Sequence, residues 1–419
     1  MNNMERIKKI LIEQGSIGRE NGKAISEYKE LTINDGVTRP AGTDRDKNTR
    51  DYFVDLCKKN GFDPFVDIFG NIFITLNGSN SDLGKIMMGS HLDSVVQGGM
   101  FDGAMGVFSA FEVLLRLKES GYRNHRDIVA AAFTGEEGSA FHQPMLGSNG
   151  FTGNISKANL WALKNRDGVD FKSAMQRIEY LGDSEFPGKP EYYLEYHIEQ
   201  GPVLEEKGKE IGVVTSITGQ CVLSVEVNGI QGHSGTTPME MRSDALVRAA
   251  GIIAMIDKIA REASKKYNNH SVGTVGELSV EPGRFNVIPG HVAMKIDLRS
   301  EHSDSLAYMK KKVLEELETK RNGVNIKYSI VAEVESSIMS DKVMDAIRAS
   351  VKSLGFSSME MPSGAGHDTI PMSKIAEAGM IFVPSIKGLS HTPLEWTDFK
   401  DVENGLEVLL GAVKNLDKN

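Results

Sequence analysis

The sequence predicts an α/β protein: a mainly parallel sheet with flanking helices, interrupted by an inserted α+β domain with a four-stranded antiparallel sheet and two helices. Three observations carry this. Short, nearly all-apolar runs at 86–88, 128–133 and 380–384 alternate with helical patterns, as strands covered on both faces do. Residues 211–329 read strand, helix, strand, strand, helix, strand, the βαββαβ order of a compact antiparallel unit. The chain, at 419 residues, is longer than one ordinary core. The expected division is 1–211 with 331–419 for the parallel-sheet domain and 212–330 for the insertion.

The elements follow in order. Ile7, Ile10, Leu11 and Ile17 are spaced for one apolar stripe, which predicts a helix over 3–28. Residues 36–50 form a polar loop marked by glycine and proline, suited to lie over a site. A helix over about 46–60 ends at Gly61. Residues 66–76 read as a hairpin with its turn at Gly70-Asn71. The strand at 86–88 runs into GSHLDSVVQGGMFDG (89–103) and a helix over about 103–120, with Val107, Phe108, Phe111, Leu114 and Leu115 as its buried stripe. Strand 128–133 comes next. The stretch 146–154 reads as a loop, with helices over 156–164 and 170–180. The insertion carries strand 213–229, helix 243–266, strands 271–280 and 287–299, helix 303–320 and strand 324–334. Helix 341–354, strand 356–361, helix 370–378, strand 380–384 and helix 398–416 complete the chain. No internal repeat or low-complexity segment interrupts it.

Composition excludes several classes. The net charge is −9 with no basic block, which argues against nucleic acid as a partner. No apolar stretch approaches the roughly 18–20 residues that span a bilayer. The segment MNNMERIKKILIEQG is amphipathic and lacks an apolar signal core, so a cytoplasmic location is expected. The two cysteines, Cys57 and Cys221, imply a reducing compartment and leave any metal to His, Asp and Glu.

Four clusters of metal-ligand type each follow a predicted strand. They are His91 with Asp93 and Asp102, then Glu136-Glu137, then His197, then His391. A lone His-x-Asp is ordinarily a solvated loop, and an isolated Glu-Glu pair is ordinarily a helix N-terminus. Four such clusters at strand ends, where α/β proteins place their sites, tell against accident. Two zinc ions sharing one carboxylate need that bridge and about two further ligands each. Asp102 as bridge, His91 with His197, and Glu137 with His391 meet the count. Asp93 is placed to accept the other ring proton of His91. Glu136 points elsewhere and suits a general base. His125, His142, His270, His291 and His302 lack ligand-type neighbours and read as surface or core. His367, in GAGHDT, reads either as a pocket wall with a substrate role or as ordinary packing. His233, in GHSGTTPME, reads as a solvated turn or as a substrate contact. Asn286 and Arg299 bracket the following strand, and Arg is the residue that grips a carboxylate with two parallel hydrogen bonds.

These residues sit in segments that resemble a known family, the di-zinc amidohydrolases of the aminoacylase and carboxypeptidase clan. Within it the chain is similar to the hydantoinase/carbamoylase branch: allantoate amidohydrolases, N-carbamoyl-L-amino acid hydrolases and β-ureidopropionases. The matching segments are GVTR (36–39), GSHLDSV (89–95), GGMFDG (98–103), GEEGS (135–139), HIEQGPVLE (197–205), GHSGTTPM (232–239), RSDAL (242–246), NVIPG (286–290), DLRS (297–300), SGAGHD (363–368) and SHTPLEW (390–396). They run in the family's order over most of the chain, and HIEQGPVLE is the most specific.

The resemblance implies a di-zinc exopeptidase-like catalytic domain and an inserted domain that serves as lid and dimerisation surface of a homodimer. It implies two divalent ions per subunit, Zn or Mn, on His91, Asp102, Glu137, His197 and His391, with Glu136 as the base. Gln200, His233, Asn286 and Arg299 match positions that grip the substrate. His233 is expected to polarise the scissile carbonyl from the partner subunit, and Asn286 and Arg299 to hold the substrate carboxylate. The implied activity is cleavage of the C–N bond of a ureido (carbamoyl) group in allantoate or an N-carbamoyl-L-amino acid, releasing ammonia and carbon dioxide. The alternatives are a di-zinc dipeptidase or aminoacylase, against which HIEQGPVLE speaks, and a non-catalytic ligand-binding protein of the same fold, against which an intact Glu136 speaks. One departure stands out. The family commonly has Arg and an aromatic residue after GEEGS, where this chain has Ala140 and Phe141, which bears on the substrate and leaves the metal residues untouched.

Overall fold

A computed structural model describes residues 3–80, 82–321 and 323–418. The chain divides into two compact units. One runs to Thr215 and resumes at Met339, and the other is Ser216–Ile338. The insertion thus begins and ends later than the residues 212 and 330 expected from the sequence.

The strands of the first unit are β1 (Phe65–Val66), β2 (Ile72–Leu76), β3 (Lys85–His91), β4 (Ile128–Phe133), β5 (Pro190–Ile198) and β6 (Ile211–Ile217). The insertion holds β7 (Gly219–Asn228), β8 (Gly232–His233), β9 (Ser271–Glu281), β10 (Val287–Ile288), β11 (His291–Ser300), β12 (Asn325–Val334) and β13 (Ser337–Ile338). The chain closes with β14 (Ser358–Ser363) and β15 (Glu377–Val383).

A nine-stranded sheet takes the order β1-β2-β4-β3-β5-β15-β6-β13, with β14 paired to β6. Its centre, β4-β3-β5-β15, is parallel throughout. The outer pairs β1 with β2, β2 with β4, and β15 with β6 are antiparallel. All six residues of β4 are buried, as expected of a strand covered on both sides. Val129, Ala131 and Phe133, two apart along β4, share one apolar cluster with Met87 of β3, Tyr193 of β5, Phe73, Phe186 and Met372. The helix Ala104–Glu119 packs on β3, β4 and β5, and the helices Asp341–Leu354 and Phe399–Asp417 pack on β15.

The second unit has a four-stranded antiparallel sheet, β12-β7-β11-β9. Leu223, Val225 and Val227 of β7 and Val292, Met294 and Ile296 of β11 bury one face against the helices Ala245–Tyr267 and Ser303–Glu318. A two-residue ribbon, β8 with β10, stands apart from this sheet.

Several expected elements end elsewhere. The first helix is Asn3–Ser16, stopped by the left-handed backbone of Gly18 (φ +96°). The long strand 213–229 is two strands in two sheets, β6 and β7, separated at Thr218. Part of the expected loop at 146–154 is a short helix, Leu146–Thr152. The helix at 370–378 is one turn, Thr369–Met372, and β15 begins at Glu377.

Candidate metal centre

Because β4, β3, β5 and β15 are parallel, their C-terminal ends lie along one edge of the sheet. β3 ends on His91. The loop after it carries Asp102 up to the helix Ala104–Glu119. Three and four residues beyond β4 come Glu136 and Glu137. β5 delivers His197, its penultimate residue. His391 lies on the loop after β15, with a left-handed φ of +55°. Gly103 is required where it stands: its φ is +63°, and a Cβ there would lie 2.3 Å from the His91 ring.

The five side chains meet. His91, Asp102 and His197 form one group, and Asp102, Glu137 and His391 form a second, with Asp102 common to both. The Asp102 Oδ1 lies 3.1 Å from His197 Nε2 and 3.6 Å from His91 Nε2. Its Oδ2 lies 3.1 Å from His391 Nε2, which is also 3.3 Å from Glu137 Oε2. Donors on one tetrahedral ion at about 2.0–2.2 Å stand about 3.3–3.6 Å from one another, so these spacings suit an ion in each group.

The outer nitrogens agree with that reading. His91 Nδ1 donates to the main-chain oxygen of Asp93 and His197 Nδ1 to that of Ile198, both at 2.9 Å. With Nδ1 turned to the main chain, each Nε2 is the nitrogen that faces the carboxylates and would offer its lone pair to a bound ion. Glu137 Oε1 is buried and has no hydrogen-bond partner among the described residues.

The carboxylates strain against each other. Burial and the facing Asp368, Glu137, Asp93 and Asp102 push Glu136 well above the usual range. Burial and Asp102 do the same to Glu137. Burial opposes ionisation of Asp102 as well, yet hydrogen bonds with His197 and His391 hold it well below its ordinary value. Burial lowers His197, and Asp102 lifts it past that to about 9. Divalent cations would offset this crowding of negative charge, so the donor set and its electrostatics both fit a pair of ions.

Residues 87–415 match the model of "Peptidase family M20/M25/M40". An N-carbamoyl-L-amino-acid amidohydrolase of Paenarthrobacter aurescens is 36% identical over 394 residues, which is 91% of this chain and 94% of the relative. A crystal structure of a hydantoinase/carbamoylase family amidase from Burkholderia multivorans superposes with a TM-score of 0.87 at 32% identity, covering 98% of this chain and 97% of that one. The chain belongs to this peptidase family, in its hydantoinase/carbamoylase branch. It is a hydrolase of the amidohydrolase type, with candidate metal sites of His, Asp and Glu. A ureidoglycolate hydrolase of Arabidopsis thaliana is similar too, 35% identical over 89% of this chain and 80% of the relative.

Other residues of this amidohydrolase are placed as follows. The Asp93 carboxylate takes a different partner from the one expected. It lies 3.9 Å from His91 Nδ1 and instead accepts the N–H groups of Gly135, Glu136 and Glu137 at 3.0, 3.1 and 3.3 Å. Gln200 has a left-handed φ of +59° and donates from Nε2 to Asp102 Oδ2 at 3.0 Å. His367 is 1% exposed, with its ring edge-on to His197 at 4.6 Å and its Nε2 3.0 Å from Ser363 Oγ. Burial and the neighbouring His197 keep it well below its ordinary pKa.

In the second unit, His233 and Asn286 are neighbours through the β8–β10 ribbon, where the Ser234 N–H donates to the Asn286 carbonyl at 3.2 Å. Both side chains are exposed. Arg299 lies on β11, paired with the Asp297 carboxylate at 3.0 Å.

Sequence reasoning missed Glu395. It is 1% exposed, and its carboxylate accepts the N–H groups of Phe101 and Asp102 and the hydroxyl of Ser390. The signal was an acidic residue held inside the apolar run Pro393-Leu394-Glu395-Trp396, four residues past His391.

Proposed function

We propose that the chain is a di-metal amidohydrolase that cleaves the C–N bond of a ureido group. Its substrates are N-carbamoyl-L-amino acids or allantoate. Water enters, the C–N bond breaks, and the carbamoyl carbon leaves as carbon dioxide with one nitrogen as ammonia. The observation that carries this reading is the sharing of Asp102 between two donor groups beside a buried acid, Glu136. The names of the Paenarthrobacter and Arabidopsis relatives, an N-carbamoyl-L-amino-acid amidohydrolase and a ureidoglycolate hydrolase, support the substrate class.

Divalent ions, zinc or manganese, held by His91, Asp102, Glu137, His197 and His391 would polarise the ureido carbonyl and ease deprotonation of water. Glu136 takes the proton from the attacking water and returns it to the departing nitrogen. Its Oε2 lies 3.7 Å from His91 Nε2, at the edge of the first donor group. The Gly235 N–H donates to His233 Nδ1 at 3.0 Å, which puts the imidazole proton on Nε2, ready to donate to the scissile carbonyl. Asn286 and Arg299 hold the substrate carboxylate, with Arg299 oriented by Asp297. Gln200 hydrogen-bonds the ureido group. His367 acts by packing against His197. The unit Ser216–Ile338 serves as the dimerisation surface and lid, and closing it excludes water.

Ammonia release from metal-reconstituted protein tests the reading against a panel of allantoate, N-carbamoyl-L-amino acids, β-ureidopropionate, dipeptides and N-acyl amino acids. Ammonia from a ureido compound is expected. Cleavage confined to peptides or N-acyl amino acids would move the protein to the dipeptidase and aminoacylase side of its family.

A further inference from the structure

Of the five candidate ligands, His391 is the least supported by its own surroundings. His91 and His197 are buried, and their outer nitrogens are fixed by main-chain oxygens. The His391 side chain is 51% exposed. Among the described residues its ring makes polar contacts only through Nε2, to Asp102, Glu137 and Gln200. Its position depends on what holds its loop.

Glu395 holds that loop. Its Oε1 accepts two hydrogen bonds at 3.0 Å, from the N–H groups of Phe101 and Asp102. Its Oε2 accepts the Ser390 hydroxyl at 2.7 Å. One carboxylate thus grips the backbone of the shared ligand Asp102 and the residue next to His391. Ser390 Oγ is 3.4 Å from Asp102 Oδ2 as well, which draws the two loops together on that side. The Asp102 loop is shaped around this carboxylate: a Cβ on Gly99 would lie 2.0 Å from Glu395 Oε1. Trp396 reinforces the join, its ring edge-to-face with Phe101 at 5.2 Å.

We propose that Glu395 is a positioning residue that builds the second metal-binding group, Asp102 with Glu137 and His391, by tying the Asp102 loop to the His391 loop. The proposal rests on the reading of these residues as metal ligands. It predicts an asymmetry. In the first group His91 and His197 sit at strand ends with their own anchors and only the shared Asp102 is held by Glu395, whereas in the second group both Asp102 and the loop of His391 are held by it. Partners that orient metal ligands typically account for about 10–100-fold in metal affinity.

The test is titration of Mn2+ into metal-free protein, counted by the loss of the free-ion electron paramagnetic resonance signal, with thermal unfolding alongside. Wild type is expected to bind two ions per chain. E395A is expected to hold the second ion about 10–100-fold more weakly and to weaken the first, which shares only Asp102 with that tie, by a clearly smaller factor. E395Q, whose amide oxygen still accepts from Phe101 and Asp102 and whose NH2 still meets Ser390, is expected to regain most of the loss. S390A cuts only the His391 side of the tie and is expected to weaken the second ion by a smaller factor; it decides the matter where E395A does not fold. A second ion bound by E395A or S390A as tightly as by wild type overturns the proposal. So does equal weakening of both ions with a lowered melting temperature, the mark of a general structural role. Wild type that fails to take two ions overturns the metal-centre reading itself, together with the proposal resting on it.

Discussion

The Asp93 carboxylate accepts the backbone N–H of Glu136 at 3.1 Å. The bond joins the end of β3, which carries His91, to the loop after β4, which carries the candidate base. The adjoining N–H groups of Gly135 and Glu137 bond the same carboxylate. Asp93 therefore sets where two acids face the metal groups, through main chain rather than through the His91 ring.

Asp93→Ala leaves three N–H groups without that acceptor, two of them buried and each of these at a cost of about 1–3 kcal/mol where water does not replace it. We expect a lowered melting temperature and a kcat at least tenfold down. Asp93→Asn keeps an acceptor for Gly135 and Glu136 but turns an amide N–H2 toward the Glu137 N–H. It should fold better than the alanine variant and still bind metal more weakly than wild type. Thermal unfolding and a metal titration on both variants check this, and wild-type metal affinity in both would refute it.

Glu136→Gln removes the proton acceptor and keeps the shape. Turnover is expected to fall by about 10²–10⁴. Metal content and affinity for a ureido acid should stay within a few fold of wild type. Single-turnover kinetics with equilibrium binding separate the two effects. Unchanged turnover would remove Glu136 from the mechanism.

Chelation should abolish activity and also destabilise the protein. Asp102, Glu136 and Glu137 are crowded, and burial with mutual repulsion already raises the last two. An ion that binds only the folded state adds about 2.7 kcal/mol at one hundred times its Kd. Melting curves with and without Zn2+ or Mn2+ should separate clearly, and restoring the ion should restore turnover. Superimposable curves at saturating ion would argue against these residues as ligands.

Stability should also depend on pH through Asp67, away from the metal groups. Burial raises its carboxyl to about 7, despite hydrogen bonds from Asn71 and Phe69. In the unfolded chain it titrates near its ordinary value of about 3.9. The folded form therefore holds the proton more tightly. Its stabilising contribution is complete below about pH 4 and is lost as pH rises through about 7. Asp67→Asn, which cannot titrate, should flatten the melting temperature between those limits. Parallel curves for wild type and variant would show that Asp67 titrates normally.

What was legible in the sequence followed from strand ends. Apolar runs marked β3, β4 and β15, and the polar residues just past them proved to be those that converge on Asp102. The lines that failed were set by pairing partners. Nothing local says that the run 213–229 changes sheets at Thr218, although β6 is almost wholly buried whereas β7 alternates, a difference of pattern the sequence does carry. The choice of Asp93's carboxylate between His91 and the loop after β4 depends on a neighbour more than forty residues away. Glu395 escaped notice because a buried acid shows its purpose only when the N–H groups it accepts, almost 300 positions earlier, are in place. The substrate roles proposed for His233, Asn286 and Arg299 rest on family likeness, since each is an ordinary exposed or half-exposed polar residue by itself.

The most direct test of the account is anomalous diffraction from crystals of the metal-loaded protein, with data on either side of the zinc or manganese edge. Two peaks per chain are expected, flanking the Asp102 carboxylate. One lies against His91 and His197, the other against Glu137 and His391. A single peak, or peaks that leave Asp102 unshared, would contradict it.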